Sequence, residues 1–81
     1  MMFDARDILA YLSDKKCYGK EIFSYIKINN KTGEYTVILR SDYFEKMYVI
    51  DPLKIEGDIT TIMSLIYDDF RESYREYIPY D

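Results

Sequence analysis

The stretch Asp58–Tyr77, DITTIMSLIYDDFRESYREY, constrains the chain most, because it is the longest run with one clear period. At 3.6 residues per turn, Ile59, Ile62, Met63, Ile66, Phe70, Tyr74 and Tyr77 share one side of a helix. Such a stripe must be buried, so the remaining elements are expected to pack against it. The same helix places Asp69, Glu72 and Glu76, with Asp68 beside them, along one flank. Asp58 suits the N-cap, and Pro79 is expected to stop the helix, leaving Tyr80 and Asp81 beyond it.

The rest of the chain is read around that helix. Met1–Lys16 is expected to form a first helix, capped by Asp4, with Asp7 in its first turn and a Phe3–Ile8 hydrophobic staple. Ala5, Ile8, Leu9 and Leu12 would face inward, Lys15 and Lys16 would favour the C-terminal end, and Gly19 would stop the helix. Glu21–Asn29 alternates as a strand, with Ile22, Ser24, Ile26 and Ile28 on one side and Phe23, Tyr25 and Lys27 on the other. Asn30-Lys31-Thr32-Gly33 predicts a tight hairpin with a left-handed glycine. That turn would pair Ile28 with Thr36, Lys27 with Val37, Ile26 with Ile38 and Tyr25 with Leu39. Ser41-Asp42-Tyr43 lacks a glycine and predicts a looser connection to a third strand, Lys46–Ile50, ended by Asp51-Pro52, with Leu53–Gly57 as connector.

The order α-β-β-β-α predicts an α+β fold in one domain over residues 1–81, a three-stranded antiparallel sheet with both helices mainly on one face. Two helices cannot cover both sides of the sheet. The isoleucine side is expected to be the core and the aromatic side, Phe23, Tyr25 and Tyr35, the open one, the reverse being the alternative.

Chemistry is narrowed by what is missing. The sequence has no histidine, so neither a Ser-His nor a Cys-His nucleophile pair can be built, and the commonest neutral-pH base and metal ligand is absent. Gly19, Gly33 and Gly57 are isolated and form no phosphate-binding loop. Carboxylates on one helix cannot wrap a divalent cation, so no metal site and no cofactor is expected. Cys17, the only cysteine, reads as a small structural residue rather than a thiolate primed by Lys15, Lys16 and Lys20, and it excludes an internal disulfide. With no 18-residue apolar run and no signal-peptide pattern, the expected setting is the cytoplasm, without a membrane partner.

Binding is the remaining class. Residues 1–50 carry a net charge of +1 and residues 51–81 a net charge of −5, so the acidity is concentrated around the long helix. That distribution disfavours direct nucleic-acid binding and favours a basic protein partner. Ten tyrosines against four phenylalanines and no tryptophan add side chains suited to wet interfaces. The α-β-β-β-α order is similar to that of double-stranded RNA-binding domains, but the helix that is basic there carries DDFRESYREY here.

Two segments, IKINNKTGEYTVIL at Ile26–Leu39 and IYDDFRESYREYIPYD at Ile66–Asp81, carry a second resemblance, over less than half of the chain. They resemble small phage-encoded anti-CRISPR proteins of the type II-A group, which have an αβββ core followed by acidic helices and occupy the PAM-reading site of the RNA-guided nuclease. The family's acid cluster is denser, whereas Arg71 and Arg75 interrupt it here. The resemblance implies an inhibitor whose helix imitates backbone phosphates and competes for a basic channel such as that of a CRISPR effector. Asp68, Asp69, Glu72 and Glu76 match that role by position, with Tyr67, Tyr74, Tyr77 and Tyr80 as flanking anchors. The alternative expectation is a homodimer or assembly module that uses Phe23, Tyr25 and Tyr35 on the open sheet face.

Overall fold

The structure is a computed structural model that describes residues 5–42, 44–54 and 58–77. The expected Asp4 cap, the Phe3–Ile8 staple, most of the Leu53–Gly57 connector, the Pro79 stop and Tyr80 lie outside those residues. Helix α1 is Ala5–Leu12, a short ladder β1 (Lys16–Cys17) and β2 (Lys20–Glu21) follows, then strands β3 (Phe23–Ile28), β4 (Tyr35–Ser41) and β5 (Phe44–Ile50), and helix α2 (Ile59–Tyr77). Strands β3, β4 and β5 form one antiparallel sheet in chain order, and β1 and β2 form a separate two-stranded one. The fold is therefore α+β with the expected α-β-β-β-α order, to which a small hairpin is added. Helix α1 lies against β3 and α2 against β5, and the helices touch each other.

The first helix is shorter than its periodicity predicts. The Ser13 hydroxyl donates to the Ala10 carbonyl at 2.8 Å, and the Lys15 N–H closes a turn on the Leu12 carbonyl at 3.1 Å. Lys16, expected at the helix end, instead opens a hairpin whose two turn residues, Tyr18 and Gly19, both have positive φ, 52° and 81°. Two left-handed residues in succession match the twist of the flanking strands. The left-handed backbone of Tyr18 costs about 1–2 kcal/mol, offset by its ring stacking on Tyr74 at 6.2 Å between centroids. The hairpin buries Cys17 fully in the core. On α1, Ile8 and Leu12 are buried and Ala5 and Tyr11 pack beside them, whereas Leu9, expected inside, is exposed.

Both turns of the meander differ from expectation. At the first, Asn29 rather than Asn30 organises the chain: its Oδ1 accepts the N–H groups of Lys31 (2.9 Å) and Thr32 (3.3 Å). Its carbonyl accepts the Gly33 N–H at 2.7 Å, and its own N–H donates to the Glu34 carbonyl at 2.8 Å. Gly33 takes the expected left-handed conformation, but the loop contains Asn30–Gly33, one residue more than the predicted pairing allows. The register accordingly shifts by one, so that Ile28 faces Tyr35, Lys27 faces Thr36, Ile26 faces Val37 and Tyr25 faces Ile38. A one-residue shift moves every side chain of one strand to the other face. Tyr35 and Val37 thus join the core, and the expectation that Tyr35 sits on the open face is overturned: its relative exposure is 9%. At the second turn Ser41 pairs directly with Phe44, so the connection is tight, not loose. Asp42 adopts φ 53° there in place of a glycine, which a short polar side chain tolerates better than most.

Ile22 and Ile26, on the side of β3 expected to face the core, pack partly buried against it, whereas Ile28, expected there too, is 51% exposed at the strand end, and Phe23, Tyr25 and Lys27 face away. Beneath the helices Val37 and Leu39 of β4 share one buried cluster with Ile8, Leu12 and Cys17 and with Met63, Ile66, Phe70 and Tyr74 of α2. Phe44 joins the C-terminal half of α2 to the sheet, with ring centroids 5.5 Å from Phe70, 5.8 Å from Tyr74 and 5.2 Å from Tyr77. Asp58 caps α2 through Oδ1, which accepts the Thr60 N–H at 3.0 Å. Asp51 ends β5 by accepting the Leu53 N–H at 3.0 Å.

Phe70 is fully buried between α2 and the sheet, against Phe44 of β5. Phe70→Ala is expected to cost about 3–5 kcal/mol in urea unfolding, from lost transfer energy and the cavity left behind. Leu9→Ala, in the apolar pattern of α1 but outside the core, should cost less than ~1 kcal/mol.

Candidate functional site

Helix α2 offers the charged surface that the sequence singled out, and the fold sorts its carboxylates into two kinds. Asp68, Glu72 and Glu76 are exposed on its outer side, and among the described residues none of them forms an ion pair. Asp69 is turned onto the sheet: its Oδ2 accepts from Lys46 Nζ at 2.7 Å and from the Tyr48 hydroxyl at 2.6 Å. Lys46 Nζ also donates to Ser73 Oγ, one turn along the helix, at 2.9 Å. Asp69 is therefore a latch between α2 and β5 rather than part of a free ridge. The outer face carries three carboxylates where the sequence predicts four.

A second latch with the same chemistry holds the other flank. Asp42 Oδ2, in the β4–β5 turn, accepts from Lys20 Nζ at 2.6 Å and from the Tyr74 hydroxyl at 2.6 Å. Each cluster joins a carboxylate, an ammonium and a phenol across elements distant in sequence. The hydrogen bond from Lys46, then that from Tyr48, holds the Asp69 carboxyl below its usual range. Lys20 and then Tyr74 do the same for Asp42. The phenols respond in the opposite sense. Burial and then the Asp69 carboxylate push Tyr48 far up, and the hydrogen bond to Asp42, then burial, raises Tyr74.

The four tyrosines named from sequence fare differently. Tyr74 is only 2% exposed and holds the Asp42 latch, so it is a core residue and not an anchor on the surface. Tyr67 is half-buried and its hydroxyl donates to the Lys16 carbonyl, tying α2 to β1. Tyr77 is half-exposed beside Phe44 and remains available. Tyr80 lies outside the described residues. Arg71 folds away from the acidic face, its guanidinium lying 5.3 Å from the Tyr18 ring centre and 5.7 Å from that of Tyr67. Stacking on aromatic faces is a favourable use of a guanidinium.

The reverse side of the sheet is uncovered. Three cross-strand rows face outward there: Phe23–Arg40–Glu45, Tyr25–Ile38–Met47 and Lys27–Thr36–Val49. Phe23 (55%), Tyr25 (47%), Met47 (62%) and Val49 (66%) are all well exposed, and Ile38 is screened between its neighbours on the central strand. Met47 and Val49 carry no local sequence signal, because only the position of β5 puts them beside Ile38 and Thr36. Along the free edge of β5 an apolar groove of about 560 Å³ runs against α2, lined by Ile50, Ile62, Leu65 and Ile66. A second hollow, of about 550 Å³, has mixed charge from Lys20, Glu21, Arg40 and Asp42 beside Phe23.

Among the described residues no three Cys, Asp or Glu side chains are grouped to hold a metal ion. Burial pushes the Cys17 thiol up, against the opposing effect of Arg71, so this cysteine is not primed as a nucleophile. No described helix is long and apolar enough to cross a membrane. Comparison with known protein families, with curated proteins and with solved structures finds no match to this chain.

The latches make stability depend on pH in a defined sense. A carboxyl whose folded value is depressed contributes stability above its unfolded value near ~3.9, and that contribution is lost as pH falls through the folded value. Thermal unfolding followed from about pH 6 to about pH 2 should therefore show the wild type converging on the Asp42→Asn/Asp69→Asn double variant. A gap that stays constant down to the acid end would mean that these carboxylates contribute nothing through ionisation. At the alkaline end the raised Tyr48 and Tyr74 act with opposite sign, and their contribution is lost above about pH 10.

Proposed function

We propose that the chain is a non-enzymatic acidic protein that binds and inhibits a nucleic-acid-handling complex through the outer face of α2. The observation that carries this reading is the exposed row Asp68, Glu72 and Glu76, from which Arg71 is drawn off onto Tyr18 and Tyr67. Of the two arginines that interrupt the acidic run in sequence, Arg71 is turned off the row and Arg75 stays beside it, so the face keeps three carboxylates against one guanidinium. The row is rigid, since the Lys46–Asp69 and Tyr74–Asp42 contacts fasten the helix at both flanks.

Carboxylates on successive turns stand ~6 Å apart along a helix axis, against one phosphate per ~3.4 Å of each DNA strand. The row thus offers about half the charge density of one strand, enough to compete for part of a Lys/Arg channel and not to fill it. Tyr77, half-exposed in the same last turn of α2 but on its apolar side beside Phe44, supplies an amphipathic anchor next to the row. A CRISPR effector of the kind suggested by the sequence resemblance is one such target, with the PAM-reading arginines as the groups engaged.

A second reading, a small interaction module working through the uncovered sheet face, is favoured by the exposure of Phe23, Tyr25, Met47 and Val49 on one surface. Apolar surface of that extent marks an association site more often than it marks an accident.

The test of the first reading is recovery of a nuclease or other nucleic-acid complex from host lysate on the tagged protein at ~0.1 M and ~0.5 M salt, since screening separates charge-driven from apolar association. Capture is expected at low salt only and should disappear in the Asp68→Lys/Glu72→Lys/Glu76→Lys variant, which leaves both latches intact. The captured complex should also lose activity when the wild-type protein is added. Undiminished capture by the reversed variant would exclude the acidic face as the contact.

A further inference from the structure

We propose that two copies of this chain associate through the open faces of their sheets, strands crossed near 90°, with each Lys27 meeting the partner's Glu45. The inference rests on the sheet-face reading above and is independent of the acidic helix. Three charged side chains lie on this otherwise apolar face, Lys27, Arg40 and Glu45, all exposed. Among the described residues none of them forms an ion pair, although Arg40 and Glu45 are directly opposite across β4 and β5.

The register turns these positions into a grid of three strands by three rows, on which a two-fold axis lying in the face has four simple directions. An axis along the strands sets Arg40 against Arg40 and Lys27 against Val49. An axis across the strands sets Lys27 against Phe23 and leaves Glu45 on Val49. The diagonal through Lys27 and Glu45 places like charges on each other at both corners. The remaining diagonal, through Phe23, Ile38 and Val49, is the one that brings opposite charges together: Lys27 falls on the partner's Glu45, twice by symmetry, and Tyr25 falls under the partner's Arg40. Ile38 meets its own copy at the centre, and Met47 meets Thr36. Crossed strands are one of the two standard ways in which sheets pack face to face.

Sheet twist selects the same diagonal. The Asn29–Glu34 hydrogen bond turns the backbone groups of Thr36, Ile38 and Arg40 towards β3. For L-residues this puts β3 on the right of an upward-running β4 seen from the open face. The usual twist of a sheet then raises the Lys27 and Glu45 corners and lowers the Phe23 and Val49 corners. The charged corners close on the partner, and Phe23 and Val49 lie at the wider gaps. Three strands at ~4.8 Å spacing and six residues at ~3.4 Å rise span only about 14 by 20 Å. That is less than the ~800 Å² per partner of a standard stable interface, so the association is concentration-dependent rather than permanent.

Sedimentation equilibrium over ~10 μM to ~1 mM, the affinity range suited to so small an interface, tests the arrangement. The wild type is expected to show a monomer–dimer equilibrium, weakened roughly tenfold by Lys27→Glu or by Glu45→Lys and restored to within about threefold in the double swap. Circular dichroism confirms that each variant is folded; should a reversal not fold, Lys27→Gln and Glu45→Gln must abolish the salt dependence of the wild-type association. A wild type that stays monomeric at the top of the range overturns both the dimer and self-association through this face. Dimerisation weakened by Tyr25→Ser but not rescued by the swap overturns the crossed arrangement while leaving the sheet-face reading in place.

Discussion

The fold depends on the seating of α2 over one face of a three-stranded sheet. Met63, Ile66, Phe70 and Tyr74 form the dry contact, and a fully buried side chain of this size contributes about 1.5–3 kcal/mol. Apolar contact alone lets a helix slide or rotate by a fraction of a turn. The two Asp–Lys–Tyr clusters remove that freedom, because each fixes a point on α2, Asp69 or Tyr74, to a point on the sheet layer, Tyr48 or Asp42. Exposed ion pairs of this kind add little net stability, because solvent screens them. Their larger effect is on position, since a phenol and an ammonium converging on one oxygen tolerate little displacement.

That seating decides which surfaces the protein shows. Covering one side of the sheet leaves the other bare, so the apolar character of Tyr25, Ile38 and Met47 follows from having two helices and no third layer. The same rotation shapes the outer face of α2: it draws Asp69 inward, leaving three carboxylates there, and it carries Arg71 onto two tyrosines at the other flank. The protein therefore presents two chemically distinct surfaces on opposite sides, one charged and rigid, the other apolar with a few unpaired charges. Neither obstructs the other, so a self-associated form would still display its carboxylates.

Much of the secondary structure was legible in the sequence. The α2 stripe and its Asp58 cap, the Asp51-Pro52 stop and the alternation of β3 are local patterns, visible because burial imposes a period on each element. The candidate site was legible only in part. Asp68, Glu72, Glu76, Phe23 and Tyr25 lie where their positions in the pattern imply. Asp69 does not, and Tyr74 follows its place in the apolar stripe into the core rather than serving as a surface anchor; their hydrogen-bond partners Lys46, Tyr48 and Asp42 are more than twenty residues away in the chain. No spacing rule connects them.

The sequence by itself determined the kinds of element, their order and the concentration of negative charge near the C-terminus, since these depend on neighbouring residues and on composition. Tertiary structure decided the rest. A choice between two adjacent asparagines as the start of a turn set the strand register and moved Tyr35 from the open face to the core. The competition between helix and hairpin after Leu12 was settled by burying Cys17, despite the left-handed backbone required of Tyr18. Differences of about 1 kcal/mol separate such alternatives locally, and long-range packing, which involves many contacts at once, selects among them.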